Sequence, residues 1–311
     1  NPYGLNLRLE RAHTAMAIGN DLSSALEEYE VRWDIIYHLS PWDLRLPEWK
    51  GEPIDGKRFL LHSEQGHGDA LMTARFARDL IAFGAAEVGL VVPDESVRLI
   101  EAQEWPRVRA LRFEGLSADD WDVQSPAFSA LKHLGYRVDE IDPSPYFVAP
   151  PVSVPALPRE EKLVGICWAS GIRNVDTGSR RHAPIDELMA LAEVPGVRLV
   201  SLQKGKPAEE LSAGGFEGLV FDPMPDCDDF AATAAVIDRL DAVVTVDTAV
   251  LHLAGALGRP TFMLNQYTRC WRWWQLPSGR PWYRTVVSEK QTDPRDWSRP
   301  IAAAKAWVDA L

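Results

Sequence analysis

The sequence predicts an α/β protein built as two Rossmann-like parallel-sheet domains behind a short helical hairpin, and three observations carry this. From Lys57 onward, short apolar runs alternate with longer segments of helical spacing, the pattern of parallel strands joined by crossover helices. The stretch from Asp142 to Arg159, "DPSPYFVAPPVSVPALPR", is too rich in proline for long helices or interior strands, and the alternation restarts after it. At 311 residues the chain also exceeds the size at which one core keeps growing. The expected boundaries are 1–50 for the hairpin, 51–150 and 151–295 for the two domains, and 296–311 for a closing helix that packs back.

Each element has its own justification. "LRLERAHTAMAIGNDLSSALEEYEVRW" has helical spacing on both sides of "GND", where Asn20 or Asp21 can cap the second helix. Ala12 and Ala25 with "ALEEYE" resemble one tetratricopeptide unit. Such arrays need about three repeats to bury their faces, so the hairpin is either the end of a longer array or a pair packed on the next domain. "RFLLHS" reads as a strand, "EQGHGD" as a loop, "ALMTARFARDLIAFG" as a helix and "EVGLVVP" as a strand. "SVRLIEAQ", "VRALRF" and "AFSALKHLG" continue as helix, strand and helix. After the linker come strand "KLVGICWAS", helix "IDELMALAEV", strand "VRLVSLQ", helix "DFAATAAVIDRL", strand "AVVTVD", helix "TAVLHLAGALG" and strand "TFMLN". Two such domains are expected to bind ligand at the carboxyl ends of their strands, in a cleft.

Composition narrows the chemistry. A net charge of −12 argues against nucleic acid or an anionic membrane surface as main partner. Cys167, Cys227 and Cys270 form no CxxC pair, which reads as packing residues in a reducing compartment. No apolar run reaches the length of a membrane span and no signal pattern opens the chain, so a cytoplasmic location is expected. The chain begins at Asn1, which suggests a piece of something longer. There is no GxxxxGK[ST], GxSxG or HExxH. "DCDDF" has the DxD spacing used elsewhere for a divalent cation, but it precedes a helical pattern, so Asp228 or Asp229 is expected to cap that helix. No metal is assigned.

Two strand-to-helix turns hold the candidate chemistry. In "LLHSEQGHGDAL", Gly66 and Gly68 permit a tight turn, and Asp69 falls in the first turn of the next helix, as a cap or as a functional carboxylate. In "VVTVDTAVLHLAGALGRPTF", Asp247 ends an apolar strand and Thr248 opens a helix whose free N–H groups suit phosphate. His252 shares the face of Thr248; the plain alternative is a helix cap and a hydrogen-bonded core histidine.

The ordered set "EQGHGDALMTARF", "GICWASG", "SRRHAPI", "SLQKG" and "VTVDTAVLHLAGALGRPTF" resembles glycosyltransferase family 9, which includes bacterial heptosyltransferases, in the variant fused to tetratricopeptide repeats. The resemblance spans Ala25 to about Trp297. It implies a GT-B fold, an acceptor held mainly by the first domain, a nucleotide-activated sugar held by the second, and inverting transfer without an essential metal or other cofactor. It further implies Asp69 as general base, with Glu64, Gln65, Gly66, His67 and Gly68 as the acceptor-side loop. Arg181, or Arg180 in the neighbouring register, with Gln203, Lys204, Asp247, Thr248 and His252, matches the donor-binding positions, and His182 stands where the family has serine after Arg181. Trp271 is a candidate for stacking on a base or sugar, or for plain packing.

The function expected on these grounds is sugar transfer from a nucleotide donor, ADP-heptose or a CMP-linked nonulosonic acid among the candidates, to an acceptor hydroxyl. The acceptor is expected to be a protein recognised through upstream helical repeats, flagellin or another surface protein. The competing readings are a lipopolysaccharide-type heptosyltransferase, a nucleotide-sugar epimerase or hydrolase on the same fold, and a noncatalytic binding module.

Overall fold

A computed structural model describes residues 2–18, 22–35, 45–137, 140–158, 162–171, 180–268, 270–273 and 282–311. The chain forms two compact units, Asn1–Pro143 with Cys270–Trp282, and Ser144–Arg269 with Tyr283–Leu311. The segment Cys270–Trp282, expected in the second domain, thus belongs to the first unit. The reason is packing: the ring of Trp271 meets those of Phe128 and Trp282 edge-on, and Arg75 donates to the Trp282 carbonyl at 3.0 Å.

The first unit is a four-stranded parallel sheet in the order β3-β2-β1-β4, with β1 Arg58–His62, β2 Glu87–Val91, β3 Val108–Leu111 and β4 Val123–Pro126. Gly89 at the centre of β2 has no side chain because Trp121 lies there; a Cβ would stand 2.3 Å from its ring. The single helix expected after "EQGHGD" is two, His67–Thr73 and Phe76–Ala82. Between them the buried Arg75 turns inward, donating to the carbonyls of Asp142 and Trp282. β4 escaped the sequence reading because "VQSP" is short and ends in proline.

Helices Pro2–Ile18 and Leu22–Tyr29 pack on each other and belong to this unit. The "GND" break falls outside the described residues. The short helix Arg32–Ile35 follows. Arg32 is 1% exposed, and its guanidinium is satisfied on every side, by Glu64, Glu30, Ser129 and the Tyr29 carbonyl. A buried cation is tolerated only when paired in this way, so the hairpin is fixed to the sheet by charge as well as by apolar burial.

The second unit is a six-stranded parallel sheet, order β10-β9-β8-β5-β6-β7. Its strands are β5 Lys162–Cys167, β6 Val197–Ser201, β7 Val220–Phe221, β8 Ala242–Val246, β9 Thr261–Asn265 and β10 Val286–Lys290. β8 and β9 are buried at every residue, as expected for strands covered on both faces. Asp229 caps helix Phe230–Ile237, accepting from the Ala232 N–H at 2.9 Å, so "DCDDF" serves the helix start that its pattern predicted. The closing helix Ser298–Asp309 packs within this unit's core through Ile301, Ala304 and Val308. The described linker residues 142–158 carry no helix or strand. Among the described residues no helix is long and apolar enough to cross a membrane.

Candidate functional site

In the first unit, β1 delivers the chain to the glycine turn. Gln65 adopts a left-handed backbone, φ 67°, and the helix begins at His67 with Gly66 as its cap position. Asp69 reaches back to accept from the Gly66 N–H at 3.3 Å through Oδ2, while its Oδ1 accepts from Arg272 of the segment Cys270–Trp282. The carboxylate is therefore both a capping group and half of an ion pair.

Glu64 has a different fate. Arg32 donates to both its oxygens, at 2.7 and 3.0 Å, and the Phe128 N–H adds a third bond at 2.9 Å. Its side chain is 5% exposed, so it is spent on holding the hairpin and the helix Ala127–Leu134. Gln65 donates to the Tyr29 hydroxyl at 2.7 Å, and burial pushes that phenol up to about 12. His67 and Gly68 are half-buried. The glycine turn is thus bracketed by two ion pairs, Arg32–Glu64 before it and Arg272–Asp69 after it.

Trp271 is buried, its ring against Phe128, Trp282 and the Arg272 guanidinium, whose carbon lies 4.6 Å from the ring centroid.

In the second unit, the carboxyl ends of β5, β6 and β8 gather the other residues. Parallel register sets Cys167 beside Thr245 and Ile166 beside Ser201. Helix Ala249–Ala256 starts three residues past the end of β8, with Thr248 as its cap position in extended backbone and no side-chain cap bond. Its first N–H groups and the positive end of its dipole are therefore offered at the sheet's carboxyl edge. The Thr248 hydroxyl instead contacts that of Thr245 at 3.2 Å. Asp247, 5% exposed, pairs with Arg181 at 3.3 Å.

Gln203 is committed to the protein. Its Oε1 accepts from the N–H groups of Trp168 and Ala169 at 3.1 and 2.9 Å, and its amide nitrogen donates to the Lys204 carbonyl at 3.0 Å. It thereby holds the chain leaving β5 beside that leaving β6. Lys204 is exposed, and its ammonium donates to the Cys227 carbonyl.

His252 is 4% exposed, and its Nδ1 lies 2.9 Å from the Tyr283 hydroxyl. Tyr283 lies over the helix where Gly255 stands; a Cβ there would be 2.4 Å from the ring. At the helix end, Gly258 takes φ 76° and lies under Pro145, and the N–H groups of Tyr146 and Phe147 bond to the Ala256 carbonyl. The repeated glycines of "HLAGALG" are thus explained by close approach: one admits Tyr283, the other the end of the linker. The sequence reading missed Tyr283 and the pairing of Arg272 with Asp69, which is 203 residues away; no local signal links such distant positions.

Among the described residues, no group of three or more His, Cys, Asp or Glu could hold a metal ion.

Residues 228–288, containing the helix-capping Asp229, the β8 turn and Tyr283, match the family described as glycosyltransferase family 9 (heptosyltransferase). The chain is similar to Protein FlbA of Caulobacter vibrioides, 28% identical over 313 residues, covering 90% of this chain and 51% of that protein. It therefore spans about half the length of the curated relative it matches. By structure it is similar to the ADP-heptose lps heptosyltransferase II of E. coli, with a TM-score of 0.55, 16% identity and coverage of 81% of this chain and 98% of that one. The E. coli heptosyltransferase WaaC with ADP gives a TM-score of 0.52, 16% identity, and coverage of 81% and 99%. These likenesses show a shared fold, two parallel α/β sheets of the GT-B kind. The family match over the β8 turn, taken with that fold, supports a glycosyltransferase.

Proposed function

We propose that the protein is an inverting glycosyltransferase that moves a sugar from a nucleotide-activated donor to an acceptor hydroxyl, without an essential metal. The observation that carries this reading is the start of helix Ala249–Ala256. It lies inside the family 9 match, lacks a side-chain cap, and has Arg181 on the adjacent Asp247. Uncapped N–H groups, a helix dipole and a guanidinium are what a leaving phosphate needs as its charge grows. His252, fixed by Tyr283, is assigned to the same donor end.

Asp69 is assigned the proton. Attack on the anomeric carbon from the face opposite the nucleotide forms the new C–O bond as the bond to the leaving phosphate breaks. The acceptor hydroxyl proton passes to the Asp69 carboxylate, and the nucleotide departs as the anion. General base catalysis of this kind contributes about 10²- to 10⁴-fold.

We assign the acceptor to the protein class, flagellin or another surface protein, on the helical hairpin alone. The donor candidates are ADP-heptose, since the fold neighbours include an ADP-heptose heptosyltransferase and a heptosyltransferase with ADP, and CMP-linked nonulosonic acids. A thermal-shift panel of nucleotides and nucleotide sugars identifies the donor class, because binding raises apparent stability. Intact-mass spectrometry of flagellin incubated with protein and donor then reads transfer. Asp69→Asn is expected to abolish transfer while donor binding persists, and EDTA to leave the rate unchanged. Donor turnover that needs no acceptor would favour a hydrolase or epimerase. Full activity of Asp69→Asn would remove the base assignment.

A further inference from the structure

We propose that Arg272 is a positioning residue for Asp69, holding the carboxylate in the orientation from which it takes the acceptor proton. This rests on the reading of Asp69 as the base.

The geometry separates the two ion pairs around the glycine turn. Glu64 receives two bonds from Arg32 and a third from a backbone N–H, and it ties helices together. Asp69 is held on both oxygens, Oδ1 by Arg272 and Oδ2 by the Gly66 N–H. Bonds on both oxygens fix the rotation of the carboxylate plane, which is what a group that must meet an acceptor hydroxyl requires.

Arg272 is itself well anchored. Its side chain is 9% exposed, its guanidinium carbon lies 4.6 Å from the Trp271 ring centroid and 5.4 Å from that of Phe128, and it donates to the Cys270 sulfur at 3.0 Å. Planar stacking pre-organises the guanidinium as a flexible ammonium could not. Arg32, Glu64, Tyr29 and His13 are among the charged and titratable groups nearby. The charges of Arg272 and Asp69 both act on Tyr29, and that of Arg272 also acts on His13. Trp271 and Phe128 therefore serve to place a cation on the base.

The test compares Arg272→Met, which keeps bulk and loses charge, with Arg272→Lys, in the flagellin transfer assay. Misplacing a catalytic group by about an ångström costs on the order of 10²-fold. Arg272→Met is expected to lower kcat by about 10- to 100-fold with donor affinity unchanged. Arg272→Lys is expected to recover part of the loss, as is guanidinium chloride added at millimolar concentration to Arg272→Ala. An unchanged kcat in Arg272→Met overturns the proposal, and so does a loss that neither lysine nor guanidinium recovers. Should Asp69→Asn keep full transfer, the base reading itself falls, whatever Arg272 does. If flagellin accepts no sugar, carbodiimide labelling of Asp69, read by peptide mass spectrometry, decides. Labelling at least about tenfold faster in Arg272→Met than in the parent is expected where the guanidinium holds the carboxylate, and equal rates refute it.

Discussion

Acidification probes the first unit at His62, the last residue of β1. This histidine is 2% exposed, and burial, with the Arg32 guanidinium adding to it, lowers it from 6.5 to about 3. The folded protein therefore keeps the ring neutral at pH values where the unfolded chain takes up a proton. The sign follows: the stability tied to neutral His62 is complete above pH 6.5 and is lost as pH falls toward 3. The proton excluded at pH 5 corresponds to about 2 kcal/mol, and the limit near pH 3 to about 4 to 5 kcal/mol. His13 and His133 are also lowered, chiefly by burial, while burial raises Glu64 and Asp79 and so acts with the opposite sign. The comparison that isolates the part due to His62 is His62→Gln against the parent, with urea unfolding measured every half unit from pH 8 to 5. The parent should lose about 2 kcal/mol more than the variant over that range. Parallel curves would show that His62 takes up its proton in the folded state and would refute the reasoning.

Two further perturbations test the packing. Arg32→Met leaves Glu64 without its guanidinium partner in the interior, at an expected cost of about 3 to 5 kcal/mol. Adding Glu64→Gln removes the stranded charge and should return much of that stability; urea midpoints read both, and a double variant no better than the single one counts against a buried-charge penalty. Gly255→Ala drives a methyl against the Tyr283 ring, an overpacking worth about 1 to 3 kcal/mol. In a Tyr283→Leu background the same substitution should cost little, and an undiminished cost there would place the strain elsewhere.

The sequence made the alternating elements legible because their strands are long enough, and apolar enough, to declare themselves. β5, β8 and β9 read directly from "KLVGIC", "AVVTV" and "TFMLN". Strands that owe their state to neighbours did not. β7 is two residues long, and β10, "VVSEK", is only partly buried at an edge, so neither has a period to recognise. The break at Ala74–Arg75 was hidden for a similar reason, since "ALMTARFARDLIAFG" has sound helical spacing and what divides it is a tertiary demand on Arg75. The candidate site divides along the same line. Residues that act through backbone position, Gly66 at the turn and Thr248 at the helix start, were visible in local pattern. The partners that orient side chains, Arg272 for Asp69 and Tyr283 for His252, lie 203 and 31 residues away, and only folding joins them.

The glycine turn of the first unit and the motif helix of the second use glycine for different ends, and this bears on which residues do chemistry. At the first turn, Gly66 contributes an N–H that one oxygen of Asp69 accepts, so the glycine is part of the carboxylate's setting. In the motif helix, Gly255 and Gly258 use their backbone groups to close the helix end, the Gly258 N–H donating to the Gly255 carbonyl at 3.1 Å, and their missing side chains make room for Tyr283 and Pro145. Tyr283 then reaches Nδ1 of His252, one turn earlier, and Tyr146 comes within 3.4 Å of the same hydroxyl. A helix that had to be short of side chains on that face can hold its histidine only through a partner from elsewhere in the chain. Without Tyr283 in place, a glycine at 255 would leave a void beside His252 and a ring with less to orient it. The run "HLAGALG" is therefore best understood as the seat of Tyr283 and the linker, while the chemistry we propose for the motif is confined to its first residues and to the one ring nitrogen end that the seat holds still.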